Sequence, residues 1–168
     1  MKNQIWIIAG AESSGKTTLF NQLKLYLPHC SFIPELDRKW LVEKQFQQPF
    51  SGNMLAQLFS DCLKEYQELN VPFPCIMDTD LLNLMIWAEH IQHPLHQNLE
   101  NAWRNQKKGK YILCPPNIPY ESDPLRTNES TRNWVWKRHL EILHPSDYII
   151  LNSNTIKGRW DEIKTLFI

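Results

Sequence analysis

The stretch that most constrains this chain is residues 10–17, which read GAESSGKT. It fits the phosphate-binding loop pattern G-x-x-x-x-G-K-[ST] at every position. A short apolar run, residues 5–9, comes directly before it, and Leu19, Leu23 and Leu27 follow at helical spacing. The stretch is therefore predicted to join a buried strand to a helix, which is the context in which such a loop binds phosphate.

The chemistry of this loop follows from its residue types. Gly10 and Gly15 let the backbone turn tightly and approach a ligand closely. The loop amides then form a concave anion site at a helix N-terminus. Lys16 is placed to reach the β- and γ-phosphates, and the Thr17 hydroxyl is placed to bind Mg²⁺. We expect Lys16 to be a solvent-facing charge. The predicted ATP-binding residues are Gly10, Ala11, Glu12, Ser13, Ser14, Gly15, Lys16, Thr17 and Thr18.

Length and composition limit the class of protein. The chain has 168 residues and a formal net charge of zero, so we expect a single domain over residues 1–168 with no basic field. Nucleic acid and anionic membranes are therefore not expected partners. No apolar run approaches membrane-spanning length, and no signal peptide fits the start. The four cysteines form no C-x-x-C pair, and we expect reduced thiols in a cytoplasmic protein.

Strand-like and helix-like segments alternate along the chain. The strand-like segments are short and apolar on both faces, a pattern typical of a parallel sheet covered on both sides. The prediction is a three-layer α/β domain with five strands. The strands are expected near residues 5–9, 30–33, 75–77, 110–114 and 148–151, and the last helix near 160–167.

Polar residues follow several of these strands, where open α/β sheets bind ligands. Asp78 is predicted to hold Mg²⁺ or a water molecule bound to it. Asp80 either accepts a proton from a substrate hydroxyl or shares the ion, or it caps the next helix. Glu35 either faces the phosphoryl acceptor or is an acidic residue in the first turn of a helix. Arg38 either pairs with Glu35 or faces the substrate.

A long segment rich in Pro, Asn, Ser and Asp covers residues 115–129. Long loops of this kind are often functional lids, and we predict a lid at about residues 115–132. Arg126 and Arg132 are expected to close over the phosphates and offset charge in the transition state, unless they are ordinary solvated arginines. Tyr120 either stacks on a planar ring or packs beneath the loop.

The order of these motifs resembles the nicotinamide riboside kinase domain of the bacterial NadR-type family and its AAA-like relatives. The similar segments are residues 10–19, 34–38, 78–80, 116–120 and 123–126, and they span nearly the whole chain. The resemblance implies a P-loop NTPase fold of the nucleoside and nucleotide kinase type, with strand order 2-3-1-4-5. It also implies transfer of the γ-phosphoryl group of ATP, with Mg²⁺, to a hydroxyl of a nucleoside-like acceptor such as nicotinamide riboside.

Three positions depart from the family's pattern. Asn117 stands where the family has Asp, Tyr120 where it has Trp, and Pro124 where it has Gly. Tyr120 retains an aromatic ring that can stack on a pyridine. Asn117 removes a carboxylate and Pro124 stiffens the predicted lid, so the departures concern the acceptor side and leave the predicted ATP site intact.

A second hypothesis is an ATPase or nucleotide-dependent switch that acts on a protein partner. An acceptor pocket behind the phosphate loop, lined by Glu35, Asp80 and Tyr120, would distinguish a kinase from it. A GTPase is disfavoured because no D-x-x-G follows the third predicted strand. Residues 152–154 also lack the lysine and aspartate of the guanine-reading N-K-x-D motif.

Overall fold

The computed structural model describes residues 4–46, 49–70, 72–106, 109–122, 125 and 129–167. Within these ranges the chain forms a five-stranded sheet in the order β2-β3-β1-β4-β5. Every neighbouring pair is parallel, which confirms the predicted fold class and strand order. The strands are β1 (Ile5–Gly10), β2 (Ser31–Ile33), β3 (Cys75–Asp78), β4 (Lys110–Cys114) and β5 (Tyr148–Ile150).

Helices cover both faces of this sheet. The α-helices of the described residues are α1 (Lys16–Tyr26), α2 (Leu36–Glu43), α3 (Gly52–Glu68), α4 (Leu81–His90), α5 (His96–Asn105), α6 (Arg132–Ile142) and α7 (Ile156–Ile163). Short 3-10 turns lie at Glu129–Thr131, Pro145–Asp147 and Lys164–Leu166. Among the described helices, none is both long enough and apolar enough to span a lipid bilayer.

The sheet separates two hydrophobic cores. Successive residues of a strand point to opposite faces, so Ile7 packs with α3 and α4 on one side and Ile8 packs with α1 on the other. The predicted burial on both faces holds for the central strands. It is wrong for the edge strands, where Ile150 is 39% exposed, because an edge strand has a neighbour on only one side.

The last helix begins earlier than the sequence indicated. We expected it near Trp160, but α7 starts at Ile156 and is capped by the Thr155 side chain, which accepts a hydrogen bond from the Gly158 amide. Gly158 and the polar residues before it weaken the helical pattern in the sequence. The earlier start places Arg159 inside the helix. All four cysteines are free thiols, and all but Cys30 are buried.

The central strand leads directly into the phosphate loop. Gly10 pairs in register with Cys114 of β4, and Ile8 pairs with Asp78 of β3. Gly10 has φ 133°, and a Cβ there would lie 2.3 Å from the carbonyl oxygen of Cys114. Only glycine fits this backbone, so the loop begins in close contact with β4, at the carboxyl edge of the sheet.

Candidate active site

Side-chain donors hold the carbonyl oxygens of residues 11–14 in the phosphate loop. The Ala11 carbonyl accepts from Ser14 Oγ and Lys16 Nζ, each at 2.7 Å. Arg132 donates to the carbonyls of Glu12 (3.0 Å) and Ser13 (2.8 Å), and Arg159 donates to that of Ser14. Because the C=O and N–H of a trans peptide point in opposite directions, the bonds from the two arginines aim the amides of those peptides away from the guanidinium groups. The loop is thus held in an anion-binding conformation.

Arg132, the first residue of α6, is placed against the loop backbone. Besides the two loop carbonyls it binds the carbonyl of Ile118 at 2.9 Å, and its guanidinium lies 5.9 Å from the centre of the Tyr120 ring. The Glu121 amide also donates to Ser13 Oγ at 2.8 Å. The described part of the predicted lid therefore packs on the phosphate loop. Arg126 lies outside the described residues.

Arg159 is a site residue that the sequence analysis missed. It is 1% exposed, and it donates to the carbonyls of Ser153 and Ser14 and to Asn117 Oδ1. All three acceptors are neutral, and no carboxylate of the described residues forms an ion pair with it. Hydrogen bonds of this kind offset the desolvation cost of burying a guanidinium group. No motif marks this position. The only related signal was the departure from the family at Asn117.

A cavity of about 660 Å³ opens above the loop, and we call it the outer cavity. Its size is within the range of small-molecule sites. Its lining also includes Ile118, Pro119, Asn154 and Ile156. The structure brings the following predicted site residues together around it: Glu12, Ser13, Ser14, Gly15, Lys16, Thr17, Thr18, Glu35, Arg38 and Tyr120.

Lys16 departs from the prediction of a solvent-facing charge. It is only 6% exposed, because its ammonium folds back onto the loop and donates to the Ala11 carbonyl. Glu35 is buried as well, and its carboxylate lies 3.4 Å from Arg38 Nε. The sequence analysis offered two alternatives for Arg38, pairing with Glu35 or facing the substrate site. In the structure Arg38 does both, since it pairs with Glu35 and also lines the outer cavity.

The two aspartates after β3 lie in different environments. Asp78 ends β3 and is buried beside the base of the loop. Thr79 has φ 65°, which is rare for a β-branched residue, and its amide donates to the Ile8 carbonyl at 2.9 Å. This turn separates Asp78 from Asp80, the residue that caps α4.

Asp80 is fully engaged in a buried network. Its Oδ1 accepts from the Leu82 amide at 3.1 Å, and its Oδ2 accepts from Tyr111 Oη and Gln106 Nε2, each at 2.7 Å. Burial raises the pKa of Asp80 to about 6, although the three hydrogen bonds act in the opposite direction. Asp80 lines neither cavity at the loop. The helix cap is present, and the predicted acceptor role of Asp80 has no geometric support.

A second, narrow cavity of about 50 Å³ lies on another side of the loop, and we call it the inner cavity. Glu12 lines both cavities, so both border the loop at this residue. Asp37, an acidic residue in the first turn of α2, is buried and lines it. The remaining described lining residues are Gly10, Asn83, Ile86, Trp87, His90, Leu125, Thr131 and Val135.

The parallel sheet and the loop between β1 and α1 define a P-loop fold of the kind found in nucleoside and nucleotide kinases. The family model described as "AAA domain" matches residues 5–159, and the chain belongs to this family. No curated protein sequence matches the chain.

Several solved structures share this fold. The NadR protein in complex with NAD and AMP-PNP matches with a TM-score of 0.72 and 16% identity over 97% of this chain. The NadR protein in complex with NR matches with a TM-score of 0.72 and 15% identity over the same share. In both cases the match covers 48% of the NadR chain, about half its length. Thymidylate kinase from Candida albicans matches with a TM-score of 0.64 and 16% identity, covering 99% of this chain and 93% of that chain. The family model confirms the AAA-like part of the resemblance, and the match to the NadR structures confirms it for the fold.

Proposed function

We propose that this chain is an ATP-dependent phosphotransferase that transfers the γ-phosphoryl group to a hydroxyl of a nucleoside-like acceptor. One observation carries the proposal: two cavities border the phosphate loop, and Glu12 lines both. A kinase must hold its acceptor beside the terminal phosphate, because positioning is a large part of phosphoryl-transfer catalysis. An ATPase needs only the outer cavity and a water molecule.

On the nucleotide side, the loop amides bind the phosphates. The ammonium of Lys16 exchanges the Ala11 carbonyl for phosphate oxygens, which are stronger, charged acceptors. Arg132 and Arg159 keep the loop carbonyls turned away from the ligand. Because the donors are oriented before the nucleotide arrives, the site needs little reorganisation during the reaction.

Thr17 and Asp78 are suited to Mg²⁺. A hydroxyl and a carboxylate are hard oxygen ligands, and this ion commonly binds through one or two protein groups together with phosphate oxygens and water. The described residues contain no group of three or more His, Cys, Asp or Glu that could hold a metal by themselves. When bound, Mg²⁺ neutralises charge on the β- and γ-phosphates.

On the acceptor side, Glu35 and Asp37 are the buried carboxylates closest in sequence to the substrate-facing end of β2. Glu35 lines the outer cavity and Asp37 the inner cavity, so either can orient an acceptor hydroxyl. The inner cavity is far smaller than the roughly 300 Å³ at which small-molecule sites begin, so acceptor binding must widen it. Nicotinamide riboside is the first acceptor to test, given the match to the NadR protein in complex with NR.

The test is a phosphorylation assay with γ-labelled ATP, Mg²⁺ and a panel of nucleosides that includes nicotinamide riboside. We expect at least one nucleoside to gain label and to raise ATP turnover. If label appears only as inorganic phosphate, whatever the nucleoside, the ATPase hypothesis replaces the kinase proposal.

A pair of variants sharpens this assay. Asp37→Asn should slow transfer to the acceptor while leaving the affinity for ATP unchanged, because Asp37 lines only the inner cavity. Glu43→Gln, at the exposed end of the same helix, is the matched control and should behave as the wild type.

A further inference from the structure

A further cavity lies at the edge of the sheet opposite the phosphate loop, and we call it the amino-edge cavity. Its volume is about 350 Å³, which is within the range of small-molecule sites. Among its lining residues, Gly109 comes directly before β4, and His144 and Asp147 come shortly before β5. Because the strands are parallel, residues that precede them lie at the amino edge, whereas the phosphate loop follows β1 at the carboxyl edge. The amino-edge cavity is therefore separate from the site described above.

Two aromatic residues, Trp103 and Tyr111, line this cavity and are held by a chain of hydrogen bonds. Trp103 Nε1 donates to Tyr111 Oη at 2.9 Å, and Tyr111 Oη donates to Asp80 Oδ2 at 2.7 Å. Asp80 is itself held by the Leu82 amide at the start of α4. The polar atoms of both rings thus have partners inside the protein, and the rings offer a ligand apolar surface. Because the rings are fixed before a ligand arrives, binding requires little ordering of these walls.

Two further lining residues, His144 and Gln106, supply a donor and an acceptor. His144 Nδ1 accepts from the Ser146 amide at 3.3 Å, so the neutral ring carries its proton on Nε2, which is a donor. Gln106 Nε2 donates to Asp80 Oδ2 at 2.7 Å, which leaves Gln106 Oε1 as an acceptor. Apolar walls with a few polar groups are typical of sites for small ring compounds.

We propose that the amino-edge cavity is a second ligand site, and that it binds an amino-substituted heteroaromatic base such as adenine or cytosine. The flat face of such a base packs on Trp103 and Tyr111, and Ile142 and Leu143 add aliphatic surface. The amino group of the base donates to an acceptor, and a ring nitrogen accepts from a donor such as His144 Nε2. This site is independent of the proposed function, and its test needs no catalysis.

The first test follows the indole N–H of Trp103 by NMR. The chain has seven tryptophans, and Trp103→Phe assigns the signal of this residue by removing it from the ¹H–¹⁵N spectrum. Adenine, adenosine, AMP and cytosine are titrated separately into wild-type protein that is saturated with Mg²⁺ and a non-hydrolysable ATP analogue. We expect the Trp103 signal to move with a dissociation constant below about 1 mM for at least one compound. The signal of Trp160 on α7, assigned by Trp160→Phe, should stay in place.

The saturating ATP analogue separates this site from the outer cavity. Movement of the Trp103 signal that occurs only without the analogue would assign binding to the outer cavity and overturn the proposal. A signal that stays in place with every compound up to about 5 mM would also overturn it. Among the three adenine compounds, the tightest binder identifies whether the free base, the nucleoside or the nucleotide is the form that the site takes.

A histidine variant tests the donor. His144→Asn removes the imidazole Nε2 but keeps a side-chain acceptor for the Ser146 amide, because asparagine is a favoured residue at this capping position. The dissociation constant of the bound compound should rise at least about three-fold, the effect of losing one hydrogen bond. His29→Asn, at an exposed position after α1, is the matched control and should bind as the wild type does. An unchanged dissociation constant in His144→Asn would contradict the proposal.

A tryptophan variant tests the aromatic wall. Trp103→Leu removes the ring and should weaken binding at least about ten-fold, because stacking on an aromatic side chain supplies much of the affinity for a base. Trp134→Leu, a partly exposed position on α6, is the control. Equilibrium dialysis with the radiolabelled base and the ATP analogue measures both variants. Equal affinity in Trp103→Leu and the wild type would overturn the proposal, and thermal denaturation shows that each variant is folded.

Discussion

Arg159 of the last helix donates a hydrogen bond to the carbonyl oxygen of Ser14 in the phosphate loop, across 145 residues of sequence. A Cβ on Gly15 would lie 2.8 Å from the same guanidinium. The last helix thus supports the loop directly, and Arg132 supports it from α6. The conformation of the P-loop in this chain depends on two cations that lie far from it in sequence.

Arg159→Met should weaken both the fold and the nucleotide site. It removes the donor to three acceptors, of which the Ser14 carbonyl is buried, so we expect the free energy of unfolding to fall by roughly 2–5 kcal/mol. ATP affinity should fall at least about ten-fold, because the Ser14 peptide is no longer held. Urea unfolding and calorimetric titration measure the two effects. Arg104→Met, which removes an exposed ion pair with Glu100, is the control.

Gly10→Ala should be severely destabilising. The positive φ and the contact of the new Cβ with the Cys114 carbonyl leave no room for a methyl group. We expect a loss of more than about 3 kcal/mol or failure to fold. Gly52→Ala is the matched control, because a Cβ at Gly52 meets no atom within 4 Å. It should leave stability unchanged or raise it slightly. Equal thermal denaturation midpoints for the two variants would refute this account.

Lys16→Met should leave the protein folded and remove most ATP turnover. The methionine fills the space of the aliphatic part of the lysine side chain. It has no ammonium group to stabilise the negative charge of the phosphates in the transition state. A loss of roughly a hundred-fold or more in kcat is expected. Lys24→Met, at an exposed position of the same helix, should retain wild-type turnover. Wild-type turnover in Lys16→Met would contradict the P-loop interpretation.

Asp78→Asn should raise the Mg²⁺ concentration that half-maximal turnover requires, because an amide is a weaker and neutral ligand. This increase in the required Mg²⁺ concentration should be the same for every phosphoryl acceptor, including water. Asp61→Asn, on α3, serves as the control. A Mg²⁺ titration of turnover with excess ATP makes the comparison. An unchanged titration midpoint in Asp78→Asn would exclude this residue from the metal site.

Asp80→Asn should change how stability depends on pH. The pKa of Asp80 rises from 3.8 to about 6 on folding, so the folded state retains a proton that the unfolded state has lost. Wild-type stability should therefore contain a contribution that is present below pH 4 and lost as the pH rises to about 6. Asparagine does not ionise, so the variant should lack this loss. Urea unfolding at pH 4, 5, 6 and 7 tests the difference between the two curves.

Asp161→Asn is the control for that experiment, because Asp161 is an exposed carboxylate that pairs with Lys164. Its curve should run nearly parallel to that of the wild type. If the Asp80→Asn curve is also parallel to that of the wild type, the pKa of Asp80 is not raised by folding and the prediction is wrong.

The phosphate loop, the succession of strands and helices along the chain and the parallel sheet could all be predicted from the sequence. These features depend on local patterns: glycines at fixed spacing, apolar runs, and leucines at helical intervals. For Glu35, Arg38 and Tyr120 the sequence offered a site role as one of two alternatives, because the carboxyl ends of parallel strands meet at one edge of a sheet. All three line the outer cavity.

Only the tertiary structure decided how the loop is held and which carboxylates line the cavities. Arg159 and Asp37 are isolated residues without a motif, and their roles arise from packing between distant segments. The sequence places Asp78 and Asp80 two residues apart and leaves open whether Asp80 shares the site or caps the next helix. The left-handed turn at Thr79 leaves Asp78 beside the loop and directs Asp80 into a buried network. Long-range contacts of this kind leave no periodic pattern, since each depends on where two separate elements meet in space.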